Sequence, residues 1–218
     1  MGDISDYKKQ DKLRREYYGP VLKQNNMADN PLEQFSHWFK EALADDLTDA
    51  NAMALATATK EGKPSVRIVL LKDFGDSGFR FYTNYKGRKG IELNENPQAS
   101  LCFYWAELNR QVRIEGTVEK TSRKNSADYF SQRPRKSQLA AHASLQDTEL
   151  SSRKELKTHF EQAKQKFENK EVALPDYWGG YNLAPVSIEF WQGRPGRLHD
   201  RLVYIRKDDG WEMKRLAP

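Results

Sequence analysis

The chain has 218 residues, a formal charge of +5 and a single cysteine, so it can bury a core without metal and has no disulfide framework of its own. No stretch approaches the apolar length of a membrane span, residues 1–10 lack an apolar leader core, and lone cysteines suit a reducing compartment, so a soluble, cytoplasmic protein with no membrane partner is expected. The basic balance favours anionic partners in general, and with mean hydropathy at −0.89 the 10 Phe, 10 Tyr and 5 Trp must supply much of the core.

Residues 1–25 are charged and aperiodic and are expected to form a mobile arm ahead of a single domain over 26–218. Asn30 as cap, Pro31 at the first helical position and Glu33 predict a helix with an apolar stripe of Leu32, Phe35, Phe39, Ala42 and Leu43. From Ala52 the period falls to two. Segments 52–59, 65–73, 79–83, 99–105 and 111–120 read as strands joined by short turns, with a helix opening at Gly87-Arg88-Lys89-Gly90. Cys102 lies in the fourth of these with no cation or His beside it, which predicts a buried structural thiol. Helical segments 125–132, 138–143 and 152–167 follow, then strands at 186–192, 197–206 and 211–216. The predicted class is mainly β, an antiparallel sheet or barrel with flanking helices.

The sequence has no Walker loop, no Gly-x-Gly-x-x-Gly and no Gly-x-Ser-x-Gly, and its four histidines lack metal-ligand spacing, so no metal site is expected. Any chemistry is therefore expected to belong to a bound organic cofactor.

Four places accumulate groups that suit an anion. In a regular strand Arg67 and Lys72 point to opposite faces and suit two anions better than one, although snorkelling strand-end charges would look the same. Tyr82-Thr83-Asn84 ends a strand and Arg88-Lys89 opens a helix, so a hydroxyl, backbone N–H groups and two cations converge where a phosphate would bind; a solvated helix start is the alternative. Arg-Lys at a helix N-terminus opposes the macrodipole, which favours the functional reading. Tyr129, Arg133 and Ser137 are spaced by four across Pro134, a set suited to a phosphate monoester, with a capping Ser and a surface Arg as the alternative. Finally, if 197–206 is a strand, Arg197, His199 and Arg201 form one row roughly 7 Å apart, a self-repelling row that needs open water or an anion above it.

Taken together, Arg14-Arg15-Glu16-Tyr17, the 67–72 strand, Tyr82-Thr83-Asn84, Gly87-Arg88-Lys89, Asn96-Pro97, Arg110-Gln111-Val112, Tyr129-Phe130, Ser131-Gln132-Arg133-Pro134-Arg135, Trp178-Gly179-Gly180, the 188–193 segment, Arg197-Leu198-His199-Asp200-Arg201 and the terminal Arg215-Leu216-Ala217-Pro218 resemble the pyridoxamine 5'-phosphate oxidase family. The likeness runs from the arm to the last residue. It implies an FMN-binding split β-barrel of Greek-key type and a homodimer with FMN at the subunit interface. The implied activity is oxidation of pyridoxamine or pyridoxine 5'-phosphate to pyridoxal 5'-phosphate with dioxygen, releasing hydrogen peroxide.

Carried onto this sequence, the resemblance places the FMN phosphate on Arg67, Thr83, Arg88 and Lys89. It places the flavin ring on Ile68, Val69, Leu70, Leu71, Tyr82, Gln111, Trp191 and Arg201, with Gln146 also in the site. The substrate phosphate would take Lys72, Tyr129, Arg133 and Ser137. Arg197 and His199 would flank the reacting carbon, and Arg14 and Tyr17 would reach in from the arm. His199 as general base and His199 as hydrogen-bonding orienter look identical in sequence. Where family members often have Ser after the glutamine, this chain has Asp147, which is expected to turn away, to donate only its backbone N–H or to weaken FMN affinity, and is left out of the site. The rival readings are a flavin-binding split-barrel protein without turnover and a basic, aromatic barrel that holds single-stranded nucleic acid.

Overall fold

The computed structural model describes residues 16–218; the expected lid residue Arg14 lies outside them. The described chain forms two compact units, one from residues up to Ala50 with Phe103–Arg113 and Ser187–Pro218, the other from Asn51–Cys102 and Ile114–Val186.

In the first unit, helix α1 (Pro31–Ala44) starts where the capping residues require, with Asn30 Oδ1 accepting from Leu32 N at 2.9 Å. Its buried face is Pro31, Gln34, Phe35, Trp38 and Ala42, a rotation from the expected stripe that leaves Leu43 exposed. Trp38 is the reason. Its ring meets Phe190 edge-on at 5.1 Å, and the Arg110 guanidinium lies 4.4 Å above it, so the larger aromatic takes the core position. Strand β8 (Asp200–Lys207) pairs antiparallel with β7 (Trp178–Gln192) and with β9 (Gly210–Leu216), setting Trp191 opposite Arg201.

The second unit holds β1 (Ala52–Ala58), β2 (Pro64–Leu70), β3 (Asp73–Gly75) and β4 (Gly78–Asn84); β5 (Gln98–Trp105) and β6 (Arg110–Lys120), like β7, have residues in each unit, and the sheet order is β2-β1-β5-β6-β7-β4-β3. The expected 65–73 strand ends at Leu70, and a separate short strand begins at Asp73. In β2 exposed residues alternate with half-buried ones, and Val66 and Ile68 are 67% exposed, an apolar row facing outward. Strand β7 begins eight residues before the expected 186, at Trp178. Gly179 and Gly180 allow this, because a Cβ at Gly179 would lie 2.1 Å from the Tyr85 hydroxyl.

Four helices complete this unit: α2 (Arg88–Glu95), α3 (Arg123–Gln132), α4 (Arg135–Ala143) and α5 (Arg153–Lys166). Phe130, Leu139, Ala143, Ala163, Phe167 and Trp178 form the cluster beneath α3, α4 and α5. Cys102 is half-buried in β5 rather than fully buried.

Candidate functional site

A cleft of about 900 Å³ opens in the second unit. It is bordered by β2, by the end of β4, by the start of α2 and by the α3–α4 corner, and it contains most of the residues expected to bind ligands: Arg67, Ile68, Val69, Leu70, Lys72, Tyr82, Thr83, Arg88, Lys89, Tyr129, Arg133, Ser137 and Gln146. Arg67 and Lys72 border the same cleft, Arg67 within β2 and Lys72 beyond its end at Leu70.

The first group of cations is organised by a carboxylate that the sequence reading missed. Glu92 on α2 has a side chain only 4% exposed. It accepts from Arg88 Nε at 2.8 Å and from the hydroxyls of Thr57 and Ser65, and pairs with Arg67 Nη2 at 3.5 Å. Burial alone would raise the Glu92 carboxyl, but the hydrogen bonds from Ser65, Thr57 and Arg88 and the arginine charge outweigh it and bring the pKa from 4.5 to about 2. Arg67 is further fixed by donation to the Leu55 carbonyl at 3.1 Å and to Thr57 Oγ1 at 2.5 Å. The spacing of Arg88 and Glu92 by four on one helix was the available signal.

Lys89 is buried, and its ammonium donates to Gln146 Oε1 at 3.0 Å. Burial lowers its pKa, and the nearby Asp147 opposes that shift. Asp147 does not turn away: its Oδ2 accepts from Arg88 N at 2.6 Å, on the first turn of α2. The loop carrying Gln146 and Asp147 lies so close to Gly87 that a Cβ there would sit 2.6 Å from Gln146 Oε1.

The second group stands on the α3–α4 corner. Pro134 ends α3, and the buried Gln138 amide donates to the carbonyls of Phe130, Ser131 and Arg133 at 3.0, 3.1 and 3.0 Å, satisfying groups the helix end would otherwise orphan. That stitching fixes Arg133. Its guanidinium lies 4.5 Å over the Trp178 ring, and among the described residues its buried Nη1 has no hydrogen-bond partner. Burial lowers the Arg133 pKa. Beside it Tyr82 and Tyr129 stack at 4.0 Å, and Tyr129 runs nearly parallel to Trp178, at 4°.

The other expected residues lie elsewhere. Leu71 is buried outside the cleft lining, its backbone N–H and C=O both bonded to Asn51. Tyr17, Gln111, Trp191, Arg197, His199 and Arg201 belong to the first unit. There the expected row of Arg197, His199 and Arg201 does not form. Arg197 ends a 3₁₀ turn (Pro195–Arg197) in the left-handed region at φ 61°, directly after Gly196 at φ 62°, and β8 begins only at Asp200. Two successive left-handed residues replace the alternation that would have aligned the three side chains.

His199 instead packs with Tyr17 at 5.4 Å and Trp191 at 4.7 Å, and its Nδ1 accepts from Arg194 N at 3.1 Å. The neutral imidazole therefore carries its proton on Nε2. Arg201 is held by Glu189, Nε to Oε1 at 2.9 Å and Nη2 to Oε2 at 3.0 Å, while Nη1 donates to the Ala217 carbonyl. The hydrogen bonds that Arg201 donates to Glu189 raise its pKa. Glu189, also bonded to Arg113, is a second buried carboxylate that the sequence reading missed.

The chain is a mainly antiparallel β protein with two sets of cations and an aromatic wall in one cleft, an arrangement that suits anionic ring compounds. The chain belongs to the pyridoxamine 5'-phosphate oxidase family: the model described as "Pyridoxamine 5'-phosphate oxidase" matches residues 39–167, and that of the "Pyridoxine 5'-phosphate oxidase C-terminal dimerisation region" matches 178–218. Curated relatives named pyridoxine/pyridoxamine 5'-phosphate oxidase include those of Rubrobacter xylanophilus, 52% identical over 94% of this chain and 95% of the relative, and Trichormus variabilis, 51% identical over 94% and 97%. Among solved structures, PhzG from Burkholderia lata, in complex with tetrahydrophenazine-1-carboxylic acid, has a TM-score of 0.86 at 30% identity, covering 92% of this chain and 99% of PhzG. An FMN-binding protein of Nostoc punctiforme related to pyridoxamine 5'-phosphate oxidase has a TM-score of 0.69 at 18% identity, covering 84% and 97%. The fold class is the split barrel expected from the sequence. Among the described residues, no helix is long and apolar enough to cross a membrane and no His, Cys, Asp and Glu cluster suits a metal.

Proposed function

We propose that this chain is an FMN-dependent oxidase that converts pyridoxamine and pyridoxine 5'-phosphates to pyridoxal 5'-phosphate in a homodimer, with FMN at the subunit interface. The observation that carries the reading is that two distinct sets of cations line one cleft. One is held by Glu92, and the other includes Arg133, whose buried Nη1 has no partner among the described residues. A cofactor and a substrate that each end in a phosphate fit such a pair.

The residues present suit FMN. Arg67, Arg88 and Lys89 would hold its phosphate with the Thr83 hydroxyl and the Gln146 amide, and the exposed β2 row would face its ring. Bound FMN supplies the electron acceptor for the oxidation. Lys72, Tyr129, Arg133 and Ser137 would bind the substrate phosphate and fix the position of the ring attached to it. Arg197 and His199 would orient the substrate, with Tyr17 covering it. Because Arg194 N occupies Nδ1, neutral His199 offers Nε2–H as a donor, which supports the orienting role over the general base. Arg201, fixed by Glu189, would keep positive charge beside the flavin.

Flavin-loaded protein mixed with pyridoxamine 5'-phosphate in air is expected to yield pyridoxal 5'-phosphate and hydrogen peroxide in equal amounts. A flavin-loaded protein that yields neither would reduce the reading to a binding protein without turnover.

A further inference from the structure

The α2 N-terminus, where the FMN phosphate is expected, is engaged by a carboxylate of the chain itself. Asp147 Oδ2 accepts from Arg88 N at 2.6 Å, and its charge acts on the buried Lys89 ammonium. The same five-residue neighbourhood therefore holds three cations, Arg67, Arg88 and Lys89, and two carboxylates, Glu92 and Asp147. The two carboxylates differ in kind. Glu92 is buried and tied to both arginines through its side chain. Asp147 is exposed, and its side chain has been brought to Arg88 N by a turn in which Asp147 itself is left-handed at φ 66° and Thr148 N closes back on the Leu145 carbonyl at 3.0 Å. Glu92 is part of the cradle. Asp147 reaches the same helix start from the solvent-exposed side.

We propose that Asp147 is an internal competitor for the cofactor phosphate, a carboxylate that caps α2 in the FMN-free chain and must leave Arg88 N when the phosphate arrives. The inference rests on the FMN reading above. A helix N-terminus favours one anion, and a carboxylate and a phosphate placed there together repel. Asp147 therefore stabilises the FMN-free form, weakens cofactor affinity and makes FMN content depend on the FMN supply. The expected weakening has a chemical signature: it acts on the phosphate and not on the isoalloxazine ring.

The test uses the full chain stripped of flavin and titrated with FMN and with riboflavin, which lacks the phosphate, while flavin fluorescence is followed. Asp147→Asn keeps an oxygen acceptor for Arg88 N and tolerates the left-handed backbone, so it removes the charge alone. FMN Kd is expected to fall about tenfold in D147N, the scale of a charge at a helix terminus, with riboflavin affinity unchanged. Melting temperature should fall in the FMN-free variant and rise in the loaded one. A purely structural cap would shift both in the same direction. An FMN Kd in D147N equal to or weaker than the unsubstituted value, or an equal tightening for riboflavin, overturns the inference and leaves the FMN reading standing. No FMN binding by either protein overturns the FMN reading and the inference with it.

Discussion

Arg133 in the cleft keeps a buried Nη1 with no hydrogen-bond partner among the described residues, whereas Arg201 on β8 has its Nε and both Nη nitrogens engaged by Glu189 and the Ala217 carbonyl. Both are arginines expected to meet a ligand, yet burial lowers the pKa of the first while bonded carboxylate oxygens raise that of the second. A donor that no described residue occupies, at the edge of a cleft, is open to an arriving anion, whereas the nitrogens of Arg201 are already engaged within the chain. The contrast teaches that one cation is placed to capture charge and the other to hold a fixed field, and that the carboxylate partner, more than the arginine, records the difference.

The contrast can be broken by substitution. The largest effect is expected at Arg67, which is held by Thr57, Ser65 and Glu92: Arg67→Ala should weaken FMN about 100-fold or more, seen as loss of yellow colour on purification. Retained flavin would contradict its place under the phosphate. Next, Glu189→Gln should cost about 3 kcal/mol of unfolding free energy, because Arg113 and Arg201 lose a shared buried charge. Denaturant midpoints measure it, and an unchanged midpoint would remove the claim that Arg201 is held by its carboxylate.

Arg133→Met should behave in the opposite way. FMN content should hold, since Arg133 lies apart from the cations on Glu92, while KM for the phosphorylated substrate rises about 10- to 100-fold. A loss of flavin equal to that of R67A would erase the distinction between the two sets of cations. The smallest effect is one of pH. Glu92 has its pKa depressed in the folded chain from 4.5 to about 2, so its contribution is complete above the unfolded value and is lost as pH falls through the folded one. Between those values Glu92→Gln should flatten the fall of stability with acid, and an unaltered acid limb in chemical unfolding would contradict the depressed pKa.

Much of the fold was legible because period-two alternation at 52–58 and 111–120 and the Asn30–Pro31 cap are local signals that the packed structure did not override. The early part of β7 was not legible, since Gly179, Gly180 and Pro185 argue against a strand until the close approach of Tyr85 is known. The gathering of Tyr129, Arg133 and Ser137 followed from their spacing. By contrast, the row at Arg197, His199 and Arg201 was misread, because left-handed conformations at Gly196 and Arg197 have no signature stronger than one glycine. Glu92 and Glu189 were invisible for a different reason. A buried carboxylate is set by which cations the fold brings to it, and in a chain with 31 acidic residues nothing local marks those two.

The α3–α4 corner is proposed to receive the substrate's phosphate while the α2 corner receives the cofactor's. That assignment is tested most directly by the ratio of kcat/KM for pyridoxamine 5'-phosphate to that for pyridoxamine, measured in flavin-loaded unsubstituted protein and in R133M. R133M is expected to lower this ratio at least about tenfold, because only turnover of the phosphorylated substrate depends on Arg133. An R133M protein that discriminates between the two as well as the unsubstituted chain would contradict it.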